Sequence, residues 1–290
     1  MTVLAGQVGQ QISVSVLVTV LGAALFHAVW NAIAHGISDR LVGFTLIGIA
    51  LTGCGAGIAV VTGPPPAEAW PFLAASASLH VVYYLLLLAC YQLGQFSQVY
   101  PLARGTSPWA VALVSMTVLG RSLPSVQLAG VLTISAGLIS LVFIGRRPDR
   151  AQLPALGAAF ATGLMIAAYT VVDGIGVQHA PVLTYTAWLF LLQGPVVPLL
   201  AAVRRGRDLP GQLRPVLVPG LTGGVVSVVA YGLVLWAQTR GALAPIAALR
   251  ETSIIFGAVI GALFLGERLG LKRALAAAVI AAGIVLLNFS

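Results

Sequence analysis

The stretch VYPLARGTSPWAVALVSMTVLG, residues 99–120, returns later as PIAALRETSIIFGAVIGALFLG, residues 245–266, and this recurrence decides how the remainder of the chain is read. A shift of 146 residues aligns residues 98–143 with 244–289 without a gap. Twelve of those 46 positions are identical, where so apolar a composition gives about four or five by chance. The identities pair Arg104 with Arg250, Thr106 with Thr252, Ser107 with Ser253, Leu119 with Leu265, Gly120 with Gly266 and Gly137 with Gly283. At a shift of 139, ALFHAVWN lies over GLMIAAYT and sets Trp30 over Tyr169. The duplication divides the chain into a first repeat, residues 1–145, and a second, residues 146–290, joined at the polar linker GRRPDRAQ, Gly145 to Gln152.

Both repeats are composed for lipid. Of 290 residues, 59% are hydrophobic and 8% charged, a balance outside that of soluble globular domains. A bilayer core about 30 Å thick needs about 20 mostly apolar residues per helical span. Ten windows of that kind fall at residues 13–34, 41–62, 71–93, 98–119, 124–144, 154–173, 182–203, 215–237, 243–265 and 271–289. The expected fold is therefore an all-α integral membrane protein of ten transmembrane helices. Residues 1–12 carry no Lys or Arg, so the first window reads as a permanent helix and not as a signal peptide. The connections are too short to fold as a soluble domain.

Five helices per repeat is an odd number, so the second repeat enters the membrane from the opposite side and the two are inverted. Inverted repeats are a common architecture of secondary transporters, with the solute site near mid-membrane between the halves. The net charge of +8 sits in short loops beside apolar spans, where it acts as a topology signal and gives no reason to expect nucleic acid. Eleven basic residues follow the odd-numbered windows: Arg40, Arg146, Arg147, Arg150, Arg204, Arg205, Arg207, Arg214, Arg268, Lys272 and Arg273. The opposite side holds only Arg121 and Arg240, which places both termini outside the cytoplasm.

Ionisable groups inside apolar spans are functional candidates by default. Arg104 and Arg250 lie roughly 9–11 Å along their helices, and inverted insertion sets them on opposite sides of the midplane. Two guanidinium groups bracketing a cavity would bind a carboxylate or phosphate bidentately; alternatively each snorkels or caps carbonyls at a helix end. Glu251 adjoins Arg250 but points about 100° away around the helix, so it is a candidate to carry a coupling proton, or else the fixed partner of an arginine. His27, Trp30 and Asn31 share one helix face at i, i+3 and i+4. Further polar and aromatic stripes hold His80, Tyr83, Tyr84 and Tyr91; Tyr169 and Asp173; and Ser227, Tyr231 and Gln238. An aromatic and hydroxyl lining with a few charges suits an amphipathic or zwitterionic solute. The substrate-binding candidates are His27, Trp30, Asn31, Tyr84, Arg104, Tyr169, Tyr231, Arg250 and Glu251. Interhelical hydrogen bonding and interfacial aromatic belts are the plainer reading of the same residues.

No metal site, cofactor or catalytic residue is expected. Cys54 and Cys90 have no CxxC spacing and read as apolar fillers. The four histidines are scattered, and there is no HExxH, GxSxG or GxxxxGK[ST] pattern, so neither an intramembrane enzyme nor an ATP-driven pump is indicated. Pro195 and Pro198 interrupt the seventh window.

ALRETSIIFGAVIGALFLGERL, Ala248 to Leu269, with a glycine-bearing last helix ending GIVLL, resembles the EamA-type branch of the drug/metabolite transporter superfamily. LFHAVWNAIAH, Leu25 to His35, is similar to the first helix of one subgroup. The resemblance implies two inverted five-helix repeats and a carrier in the bacterial inner membrane. Such carriers commonly export amino acids or other metabolites, from a cavity lined mainly by helices 1, 3, 4, 6, 8 and 9. It also implies termini in the cytoplasm, against the charge count. The first repeat departs from the family pattern, with Gly105 and Arg121 where the second has Glu251 and Glu267. The partners expected are a small-molecule solute and membrane lipids, around a monomer or homodimer. A flippase for a lipid-linked sugar and a non-transporting membrane subunit are the alternatives.

The charge count makes a direct prediction. A reporter active only in the cytoplasm, fused after Ser290, stays dark in cells; a bright fusion places the C-terminus inside and sets the family habit above the arginine bias.

Overall fold

The computed structural model describes residues 12–94, 96–143, 150–264 and 271–288. The repeat positions Leu265, Gly266 and Glu267 and the loop arginines Arg146, Arg147 and Arg268 lie outside the described residues, as do the side chains of His35, Tyr91, Lys272 and Arg273.

Among the described residues every regular element is helical. In chain order they are α1 (Val14–His35), α2 (Arg40–Thr62), α3 (Trp70–Leu93), α4 (Phe96–Thr117), α5 (Ser125–Ser140), α6 (Leu153–Gly176), α7 (Val182–Gln193), α8 (Val196–Arg205), α9 (Leu209–Leu213), α10 (Leu217–Gln238), α11 (Leu243–Arg250), α12 (Ser253–Phe264) and α13 (Leu271–Asn288). Lipid leaves no water to satisfy backbone groups, so an apolar chain of this composition must close its hydrogen bonds within helices. Six stretches are long and apolar enough to cross a membrane: Val14–Ala34, Arg40–Thr62, Ala67–Cys90, Ser125–Phe143, Arg150–His179 and Val182–Gln238.

Two windows fall on broken helices. The seventh ends at Gln193 and resumes at Val196, because Pro195 has no N–H to continue the ladder. The ninth breaks between Arg250 and Ser253, where the amides of Glu251 and Thr252 turn to the carbonyls three residues back, Ala248 and Leu249. Its counterpart α4 runs unbroken past Gly105. Elsewhere the ends are conventionally made. The Asp39 carboxylate accepts from the amides of Leu41 and Val42 and starts α2, as a short acidic N-cap does. Gly63, at φ +72°, ends the same helix, in a conformation that favours glycine.

Packing runs between the halves. α1 lies along α10 and against α11 and α12, α3 and α4 lie along α6, α2 lies along α7, and α5 lies along α13. Glycines permit this closeness, because helices in lipid associate through tight van der Waals contact rather than through the hydrophobic effect. Gly130 and Gly283 face each other's backbone across α5 and α13. A Cβ on Gly163 of α6 would stand 2.5 Å from the Ala103 carbonyl oxygen of α4. At one end of the bundle, Arg205 after α8 pairs at 2.7 Å with Asp39 before α2. The thiols of Cys54 and Cys90 are free.

Gly163→Val is expected to lower the apparent stability by about 1–3 kcal/mol, the usual cost of overpacking. Gly157→Val on the same helix, where nothing lies within 4 Å, should leave it unchanged. Thermal unfolding of the two variants in detergent measures the contrast.

Candidate functional site

A cavity opens where the two halves meet, holding about 80 Å³ of space accessible to water. At about 10–15 Å³ per water, that is room for roughly five to eight waters, or for one small solute. Its walls come from eight helices. α1 supplies His27 and Trp30, and α3 supplies His80, Tyr83 and Tyr84. α6 gives Tyr169, α10 gives Ser227 and Tyr231, and α4 and α11 give Arg104 and Arg250. The sequence reading did not anticipate α2 and α7, which add Phe44, Ile47 and Leu51, and Phe190 and Gln193.

The aromatic walls are mutually braced. His80 stacks on Tyr169 with ring centroids 4.0 Å apart and meets Tyr231 edge-on. Tyr83 packs edge-on to Tyr169 and against Tyr84, which in turn meets Phe44. Trp30 donates its indole N–H to His27 Nδ1 at 3.1 Å, which makes that nitrogen the acceptor of the imidazole. Such offset and edge-on contacts hold the rings at fixed angles.

The charges lie together, both arginines reaching one carboxylate. Arg104 Nε is 2.7 Å from Glu251 Oε2, and Arg250 Nε is 3.8 Å from Oε1 of the same carboxylate. The break between α11 and α12 turns Glu251 back toward α4. Both contacts are ion pairs by distance and neither is a hydrogen bond. Arg104 also donates to the Ser253 hydroxyl at 3.3 Å, the repeat counterpart of Ser107. All three charged groups are buried, Arg104 to 5% exposure, Arg250 to 4% and Glu251 to 0%.

Two guanidinium groups thus share one carboxylate, and within this cluster of three one positive charge is left over. Both arginines reach the cavity wall, whereas Glu251 sits behind them and is no part of the lining. Nε and Nη2 of Arg250 find no hydrogen-bond partner among the described residues. Buried donors are seldom left open, and a guanidinium can only donate. Among the described residues the site is therefore short of an acceptor.

Of the nine candidate residues, seven line the cavity: His27, Trp30, Tyr84, Arg104, Tyr169, Tyr231 and Arg250. Glu251 becomes their internal counter-ion. Asn31 is not among the lining residues; its side-chain amide donates to the His27 carbonyl at 2.7 Å, a bond within its own helix. Asp173, in the last turn of α6, lies fully buried and accepts from the Tyr231 hydroxyl. Among the described residues no group of three metal-ligating side chains is assembled.

Residues 153–289 match the EamA-like transporter family. No curated protein matches the chain. A crystal structure of a protein 16% identical in sequence overlays 96% of this chain on 99% of its own, with a TM-score of 0.74. At that identity the likeness is one of fold.

The shared carboxylate has a measurable consequence. Glu251→Gln leaves two buried guanidinium groups without a counter-charge and should cost about 3–5 kcal/mol, as the loss of one partner of a buried pair does. Replacing Arg104 and Glu251 together by leucine should recover most of that loss. Equal thermal unfolding of Glu251→Gln and wild type would contradict the arrangement.

Proposed function

We propose that this chain, an EamA-like transporter by its second half, is a secondary transporter that moves a small anionic or zwitterionic metabolite, such as an amino acid, by alternating access. Export is the direction the family likeness suggests. The observation that carries the reading is the open guanidinium of Arg250 on the wall of an aromatic cavity between the halves. The guanidinium binds the carboxylate or phosphate of the solute, and the rings of His80, Tyr169, Tyr231 and Trp30 take its apolar part. Space for a handful of waters favours a solute of amino-acid size over a lipid-linked sugar.

The architecture proposed is ten spans in two inverted repeats of five, with residues 1–145 and 146–290 as the units. The pairing of helices supports it. Under the repeat, α1 corresponds to α6 and α3 to α10, so the contacts α1 with α10 and α6 with α3 are images of each other. The corresponding helices α5 and α13 pack on one another, as they would about a two-fold axis. The Asp39 and Arg205 pair brings the loops after the first and seventh windows to one end, as alternating spans require. That basic end faces the cytoplasm of a bacterial inner membrane, with both termini on the other side. Alternating access rocks one repeat against the other around the arginine site.

A ligand that binds the native state raises its apparent stability. Thermal unfolding of the detergent-solubilised protein against amino acids, phosphonates and sugar phosphates should pick out one anionic class. Members of that class should then exchange across proteoliposome membranes in counterflow. Arg250→Ala should weaken binding by roughly ten- to a hundredfold, the worth of about 1.5–3 kcal/mol for a hydrogen bond to a charged group. Background counterflow for the whole panel, or an Arg250→Ala variant that binds as wild type does, would count against the transporter reading.

A further inference from the structure

Asp173 of α6 is a second fully buried carboxyl, and it takes no part in the arginine site. Among the described residues no lysine or arginine forms an ion pair with it. Hydroxyls meet it instead. Tyr185 of α7 donates to Oδ1 at 2.9 Å, and Tyr231 of α10 donates to Oδ2. Tyr231 is at the same time a wall of the cavity, so one hydroxyl separates the acid from the solute space.

The chemistry of the partners distinguishes the two buried acids. A guanidinium only donates, so the carboxylate it meets can only accept. Glu251, between Arg104 and Arg250, meets cations that favour its ionised form. A hydroxyl turns and either donates or accepts, so the shell around Asp173 satisfies that carboxyl with a proton or without one. A lone charge held away from water is costly, and a single proton removes it.

Other titratable and charged groups stand around Asp173 on the helices packed against it. From α3, His80 bonds through Nδ1 to the Ser76 carbonyl oxygen at 2.9 Å and stacks on Tyr169 of α6 itself, with Tyr83 beside them. Arg250 acts on the carboxyl from α11 through its field. α4 contributes Arg104, which is already committed to Glu251. Beyond the end of α6, His179 stacks on Phe72.

We propose that Asp173 is the proton-carrying group of this transporter, loaded from the cavity through Tyr231, so that solute movement is coupled to proton movement. Tyr231 hands its hydroxyl proton to Oδ2 and takes another from a hydronium ion in the water-filled cavity, which leaves the phenol neutral, the carboxyl neutralised and a water molecule behind. Release reverses the same two transfers when the cavity faces the other side. The inference rests on the transporter reading above but is tested without a known solute.

Infrared difference spectra of the purified protein in lipid, between alkaline and acidic buffer, read the carbonyl stretch of a protonated carboxyl directly. The expected result is a band that titrates in wild type and in Glu251→Gln, moves in Asp173→Glu and is absent in Asp173→Asn. A band that persists in Asp173→Asn, or no titrating band in wild type, overturns the proposal. Asp173→Asn keeps the shape of the side chain, with one tyrosine hydroxyl turning to accept from Nδ2; if it does not fold, the shift in Asp173→Glu carries the same decision. A second measurement uses a radiolabelled amino-acid mixture in proteoliposomes. Asp173→Asn should retain counterflow and lose uptake driven by an imposed pH gradient, and gradient-driven uptake equal to wild type overturns the proposal. Absent counterflow in wild type speaks against the transporter reading alone, because the infrared result stands apart from it.

Discussion

Glu251 holds two arginines that come from different halves of the chain, and the rest of the site depends on that one contact. To reach Arg104, the carboxylate must leave the regular path of its helix, and the span breaks between Arg250 and Ser253. Taking three charges out of water is expensive, and their mutual attraction repays this only with good geometry. Because the contact joins α4 to the α11–α12 break, it also fixes how the two repeats meet. The arithmetic of two guanidinium groups and one carboxylate leaves a positive charge facing the cavity.

Much of this was legible in the sequence, and the residues show why. Arg104 and Arg250 stand out because guanidinium is rare in apolar helices, and their place in matched RxTS segments marks them as equivalents. Repetition, however, says which positions correspond, not which ones touch. Distance along separate helices set the arginines apart, while the crossing of α4 and α11 brings both to Glu251. Helical phase gathered His27, Trp30 and Asn31 on one face, but it could not foresee that the Asn31 amide turns back to the His27 carbonyl. Phe44, Ile47, Leu51 and Phe190 left no signal at all, since an apolar residue reads the same whether it faces lipid, core or cavity. Asp173 sits near the end of a window, where an exposed carboxylate is ordinary. Only the hydroxyls of Tyr185 and Tyr231, from two other helices, reveal it as buried.

The two acids illustrate how neighbours decide what a buried carboxyl does. Glu251 has partners that can only donate, and its place in the family-like RETS segment reflects structure as much as chemistry. Asp173 has partners that can donate or accept, and it sits one hydroxyl from the solute. Glycine contributes in a quieter way. At Gly130, Gly163 and Gly283 the helices approach until no side chain fits, which brings aromatic rings from both halves to one small space.

The central claim is that the surplus guanidinium of Arg250 recognises the anionic group of the solute. It is tested most directly by the apparent melting temperature of the solubilised protein in matched solute pairs that differ only in that group, an amino acid against its amide. The account predicts that the carboxylate form raises the melting temperature and that its amide, which has lost the charge and none of the apolar body, does not. An equal rise with both members of a pair would contradict it.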